Sequence, residues 1–256
     1  MLKNYFRIAW RNLAKNRLHS FINITGLAAG IAVGILIGLW IWDELSFDRY
    51  HQNYDHIAQV MENQTTDGNI KTQNGVPIPL GEELKMNYGS HFKYVVLSSR
   101  TRVHLLGTDD KQITKRGNFM EPSAPEMLSL KMLKGTRMGL KEPASIMISH
   151  SLSQSLFGDG DPVGKLITMD AKFSVKVTGV YEDLPYNTTF HGLGFIAPWE
   201  LYLAQDDWPQ SAKDKWNIQL YRLIRHGRLY GRTTHKGVGH KKSSGSVRIQ
   251  SLEPFI

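Results

Sequence analysis

The 256 residues contain no cysteine, which excludes a disulfide framework and any thiolate metal site. Charge is missing altogether from Phe21 to Trp42, which reads FINITGLAAGIAVGILIGLWIW, and no acid stands among the first twenty residues. Beyond Trp42 no comparable uncharged apolar run recurs. Two motif fragments also lack decisive parts. Gly158 to Lys165 has the wrong glycine spacing for a phosphate loop, and Lys165 is followed by Leu166 where Ser or Thr is required. Asp159-Gly160-Asp161 lacks the third acid and the closing Glu of a calcium loop. Both read as turns.

What is present starts with that uncharged run. At about 1.5 Å per residue it is long enough for the ~30 Å hydrocarbon core of a bilayer, which takes ~20 apolar residues. Before it lie Lys3, Arg7, Arg11, Lys15 and Arg17, and after it Asp43, Glu44 and Asp48 against Arg49. Because Lys and Arg stay inside, the N-terminus is expected in the cytoplasm and the rest of the chain outside. A cleaved signal peptide has an apolar region of only ~7–15 residues and a small-residue cleavage site. Here the outer end is Trp40-Ile41-Trp42, so the run reads as an uncleaved anchor. Gly26, Gly30, Gly34 and Gly38 recur every fourth position, a stripe drifting by about 40° per step. Such a stripe admits a second helix at close range, and these four glycines are the predicted helix-packing residues.

Residues 2–18 place Leu2, Tyr5, Phe6, Ala9, Trp10 and Leu13 at helical spacing with the bases largely opposite, which predicts a basic amphipathic helix at the inner membrane surface. The remaining chain has the balance of a soluble domain, with 21% charged residues and a mean hydropathy of −0.32 for the whole. Net charge is +8, but Ile218 to Ile256 holds eight bases against Glu253 alone. The basic character therefore belongs to the tail, and nucleic acid is not an expected partner of the domain.

Within the soluble part, the residues around Leu45, Phe47, Tyr50 and Tyr54 predict a short linking helix. A strand over 57–61 and a hairpin at Asp67-Gly68-Asn69 follow. A helix is expected over PLGEELKMNY, then strands over 94–99, 103–106 and 112–116. Ser149 is placed to cap a helix HSLSQSLF that stops at Gly158. Phe173, Val175, Val177 and Tyr181 alternate with polar residues as one face of a strand. His51 and His56 are five residues apart, on different faces of any helix, so they read as part of a solvated linker, not a metal site. Ser149, His150, Ser151 and His191 are the residues a hydrolase would use, but Ser149 lacks nucleophile-elbow glycines. No catalytic, cofactor-binding or metal-binding residue is assigned. The fold class is α+β: one N-terminal transmembrane helix and a mixed extracytoplasmic domain of two lobes.

The basic helix with WRNL, the glycine-striped span, DELSFDRYHQNYDHIAQV, EPASIMIS, LFGDGDPVGK and VTGVYEDLPYNTTFH together resemble the FtsX-like and MacB-like ABC transporter permeases, over roughly residues 1–200. The resemblance implies a permease subunit in the bacterial inner membrane with its main domain periplasmic. Implied partners are a cytoplasmic ABC ATPase, a second permease copy through the membrane helix, and membrane lipid. It also implies an inserted lobe around Arg100 to Tyr181. The expected organisation is 1–20 cytoplasmic helix, 21–42 transmembrane helix, 43–217 periplasmic core domain, and 218–256 a basic tail without a fold. Against the family pattern such a tail reads as truncated or out of frame, the three further membrane helices being absent. A signal-anchored sensor or binding domain is the alternative from another class.

Overall fold

The computed structural model describes residues 2–66, 69–205, 207–212, 214–216, 222–226 and 245–251. They form two compact units that meet between Phe47 and Asp48 in the chain.

The first unit is two helices, α1 (Leu2–Lys15) and α2 (Arg17–Leu45). Asn16 between them leaves helical geometry, at φ −109° and ψ 56°. α2 takes in the whole uncharged run and extends it at both ends. Its 29 residues reach ~43 Å at about 1.5 Å each, and it is long and apolar enough to cross a membrane. At its outer end the Ser46 N–H donates to the Trp42 carbonyl at 3.0 Å.

The second unit is built on a 12-stranded sheet among the described residues. β1 (Ile57–Thr66) and β2 (Asn69–Gln73) pair as a hairpin with Thr66 opposite Asn69, as the Asp-Gly-Asn signal predicts. α3 (Pro79–Tyr88) begins on its proline, where the missing N–H has no intrahelical partner to lose. β3 (Tyr94–Ser98), β4 (Arg102–Gly107) and β5 (Gln112–Met120) follow, then α4 (Ala124–Met127) and β6 (Met132–Gly135). Next come β7 (Ser145–Ser149), α5 (His150–Phe157), β8 (Leu166–Met169) and β9 (Phe173–Tyr181). β10 (Phe195–Pro198), α6 (Trp199–Gln205), α7 (Asp207–Ala212), β11 (Arg222–His226) and β12 (Gly245–Ser251) complete the order.

The hydrogen-bonded path runs β10-β7-β9-β8-β4-β5-β3-β11-β1-β12, with β2 on β1 and β6 on β9. Its two halves meet where Ser98 of β3 lies opposite Met120 of β5. One core gathers Leu106, Phe119, Ile146, Val177 and Phe195 between β4, β5, β7, β9 and β10. A second gathers Val60, Leu80, Val95, Leu97 and Trp199 under α3. A third, with Ile57, Met127, Leu128, Tyr181 and Phe190, lies where residues from both halves of the path converge.

Three sequence expectations change here. Residues 46–53 are a succession of turns and only Tyr54–His56 make a 3-10 turn, so the linking helix does not form. The strand face predicted through Tyr181 breaks at a bulge, because Ile146 opposes Val177 whereas Met147 opposes Gly179. The extra residue, Thr178, turns the following side chains over. Val180 rejoins Val175 and Val177 in one core, while Tyr181 enters another. Finally, two stretches of the tail expected to lack a fold are strands. β11 pairs antiparallel with β1 on one side and β3 on the other, and β12 pairs with β1 over Ala58 to Gln64. A ladder place between two distant strands leaves no mark in local periodicity. The rest of that tail lies outside the described residues.

Candidate functional site

Immediately after α2 the chain is fixed into the second unit by a cluster of buried polar groups. Asp48 follows Leu45 after only Ser46 and Phe47, and it is 1% exposed with φ at +58°. Its N–H donates to the Asn187 carbonyl at 2.8 Å, and its carboxylate accepts from the Thr189 N–H at 2.7 Å and the Thr189 hydroxyl at 2.6 Å. A left-handed backbone costs a non-glycine residue ~1–2 kcal/mol. Bonds to a charged group contribute ~1.5–3 kcal/mol each, so the two carboxylate bonds outweigh that strain.

His51 and Asn53 extend the attachment to a second segment. The His51 ring is fully buried, and its Nδ1–H donates to the Leu128 carbonyl at 2.7 Å. A carbonyl can only accept, so this bond fixes the tautomer. The other nitrogen, Nε2, has no partner among the described residues. Burial pushes the imidazole pKa below its usual value, against smaller opposing effects of the Leu128 bond and the Asp48 charge. The ring stands edge-on to Tyr50 and Phe190. Asn53 Nδ2 donates to the Ser129 hydroxyl at 2.8 Å. His51 is therefore core, not the solvated linker residue its polar surroundings in sequence suggested.

The segment receiving Asp48 is tied inward as well. Glu182 accepts from the Tyr50 hydroxyl at 3.3 Å and pairs with Lys131 at 3.1 Å, while the Lys131 ammonium lies 5.0 Å above the Tyr50 ring. Burial and then the Glu182 charge raise the Tyr50 pKa to about 12. Asp183 accepts from the Ser151 N–H at 3.1 Å and the Ser151 hydroxyl at 2.7 Å, meeting a donor at the start of α5. The Tyr181 hydroxyl donates to the Leu193 carbonyl at 2.8 Å, and burial raises its pKa well above the usual value. Residues 181–190 are thus a hub joining the entry turn, α5 and the segment that leads into β10.

The predicted site residues fall elsewhere. Gly26, Gly30, Gly34 and Gly38 lie on α2, and a Cβ added at any of them would meet no atom within 4 Å. The stripe is an open face in the single chain. Ser149 caps α5 by accepting from the Leu152 N–H at 3.3 Å, and the His191 Nδ1–H donates to the Thr188 carbonyl at 3.2 Å. These bonds join neither His150 nor His191 to a serine. Sequence reasoning missed Asp48, Asn53, Glu182, Asp183 and Thr189. Their one available signal was membership of DELSFDRYHQNYDHIAQV and VTGVYEDLPYNTTFH, two distant segments that the fold brings together.

A family model, the MacB-like periplasmic core domain, matches residues 20–228, more than half of the chain. The chain belongs to this family. The MacB-like core domain is the periplasmic part of ABC-type transporter permeases, and its match here runs from within α2 through β11. Two solved structures share the fold. A domain of a protein designated a permease, from Porphyromonas gingivalis, superposes with a TM-score of 0.60 at 18% identity, covering 80% of this chain and 92% of that one. The periplasmic region of MacB from Actinobacillus actinomycetemcomitans gives 0.51 at 14% identity, covering 70% and 78%. Among curated proteins none matches this sequence.

Proposed function

We propose that this chain is the membrane-anchored, non-enzymatic mechanical part of an ABC-type permease. In this reading α2 crosses the inner membrane with α1 on the cytoplasmic side, and the MacB-like core domain lies in the periplasm. A cytoplasmic ABC ATPase drives the motion, and two permease copies pair along the glycine face of α2. The inner flank carries five bases and no acid, which supports that orientation.

The observation that carries the reading is the Asp48 attachment. Force passing along the chain from the end of α2 enters a carboxylate held by two short bonds to Thr189, and from that hub reaches α5 and the segment before β10. A loosely tethered domain would absorb such movement in its linker. Here only Ser46 and Phe47 separate the helix end from the first buried anchor.

The test uses the permease assembled with its ATPase in lipid discs, with a spin label at exposed Asp109 after substitution by cysteine, the chain having no other. Nucleotide is expected to change the distance between the labels of two copies, and Asp48→Ala to blunt that change while leaving ATP hydrolysis largely intact. Identical distance distributions with and without nucleotide in the unaltered protein would overturn the proposal.

A further inference from the structure

α1 carries a row of bases along one side. Lys3, Arg7, Arg11 and Lys15 stand four residues apart, so successive members turn by only about 40° and form one ridge along the helix. Arg7, Arg11 and Lys15 are exposed, and among the described residues none of them pairs with an acid. The first acid in the sequence is Asp43, at the far end of α2. Tyr5 and Phe6 stand well round the helix from the ridge and Trp10, three residues after Arg7, stands at its flank; they are 70%, 75% and 66% exposed. Aromatic rings of this kind settle at the boundary between headgroups and acyl chains.

We infer that α1 is an anionic-lipid recognition element, in which the ridge of Arg7, Arg11 and Lys15, continued by Lys3, engages the acidic headgroups of the leaflet where α2 begins. The argument is one of charge complementarity and reach. α2 holds the start of its helix at the membrane surface, and α1 is joined to it through Asn16 alone, so the ridge works at the short range where surface potential is felt. The apolar face gives a basal affinity for any bilayer, and the ridge makes seating depend on lipid charge. The inference rests on α2 spanning the membrane, as proposed above.

The experiment uses the full chain with Asn12→Cys as its single cysteine, carrying an environment-sensitive fluorophore that reports whether α1 is seated in the bilayer. Lipid discs of pure phosphatidylcholine are compared with discs in which phosphatidylglycerol replaces a third of it. Anionic lipid is expected to raise the seated-to-unseated ratio by about fivefold for each base engaged, and high salt should erase the gain. Arg7→Gln, Arg11→Gln and Lys15→Gln together should remove the dependence on lipid charge, while Arg7→Lys with Arg11→Lys should keep it. Equal seating in both lipids, a dependence that survives the triple glutamine variant, or seating that requires an added acidic protein would each overturn the inference. A chain that does not insert into discs of either composition would instead overturn the spanning role of α2.

Discussion

The carboxylate of Asp48 accepts two hydrogen bonds from Thr189, a residue 141 positions later in the chain. Removing it should be costly twice over. Asp48→Ala leaves the half-buried Thr189 donors without their acceptor and places alanine at φ +58°. A loss of ~2–4 kcal/mol is expected from denaturant titration of the detergent-solubilised chain. Asp48→Asn keeps one acceptor and a residue tolerant of that backbone, so it should lose roughly half as much. Equal midpoints for Asp48→Ala and the unaltered chain would mean that the attachment contributes nothing.

The buried His51 makes stability depend on pH with a definite sign. Burial lowers its folded pKa from the ordinary 6.5, so below that value the unfolded chain binds a proton that the folded chain refuses. Its contribution is present above about pH 6.5 and is lost as pH falls toward the folded pKa, with a limiting slope of ~1.4 kcal/mol per pH unit. Unfolding midpoints followed through this range should fall less steeply for His51→Gln than for the unaltered chain. Parallel curves would show that His51 is protonated in the fold without penalty.

Gly117 lies on β5 where a side chain has no room, since an added Cβ would overlap the ring of Phe195. That ring is fully buried against Phe119 and His104 and has little freedom to withdraw. Gly117→Ala is expected to destabilise by ~1–3 kcal/mol, with part of the loss recovered by Phe195→Leu. Thermal unfolding of the two variants and their combination gives the coupling.

The open glycine face predicts the opposite pattern. With no atom within 4 Å of an added Cβ, Gly30→Leu with Gly34→Leu should leave folding of the core domain unchanged. Crosslinking between permease copies should fall, because the bulkier side chains hold the helices apart. Undiminished crosslinking would assign pairing to another surface.

Ending the chain after Trp216 removes β11, whose backbone fills the place between β1 and β3, together with β12, which pairs with β1. Both neighbours then lose ladder partners, so the shortened protein should show faster amide exchange over 57–60 and 94–98 and a lower unfolding midpoint. Unchanged exchange in those strands would return these residues to the status of a dispensable tail.

The sequence by itself determined the elements whose cause is local. An uncharged run long enough for a bilayer, bases on one flank, and apolar residues at helical spacing dictated α1 and α2 without reference to anything distant. The same holds for the hairpin that sets Thr66 opposite Asn69, the Ser149 cap and the stop at Gly158, each a matter of local dihedrals and hydrogen bonds. Tertiary structure decided what depends on a partner far along the chain. His51 is core because Leu128 and Phe190 close over it, and Tyr181 changes sides because a bulge at Thr178 fits β9 to β7. Residues 222–226 are a strand because β1 and β3 leave a ladder place between them. A polar side chain near a membrane helix reads alike in sequence whether it ends in water or against a buried carbonyl. Only the folded path that brings Thr189 to Asp48 distinguishes the two, because the bond's energy belongs to the pair and to neither residue alone.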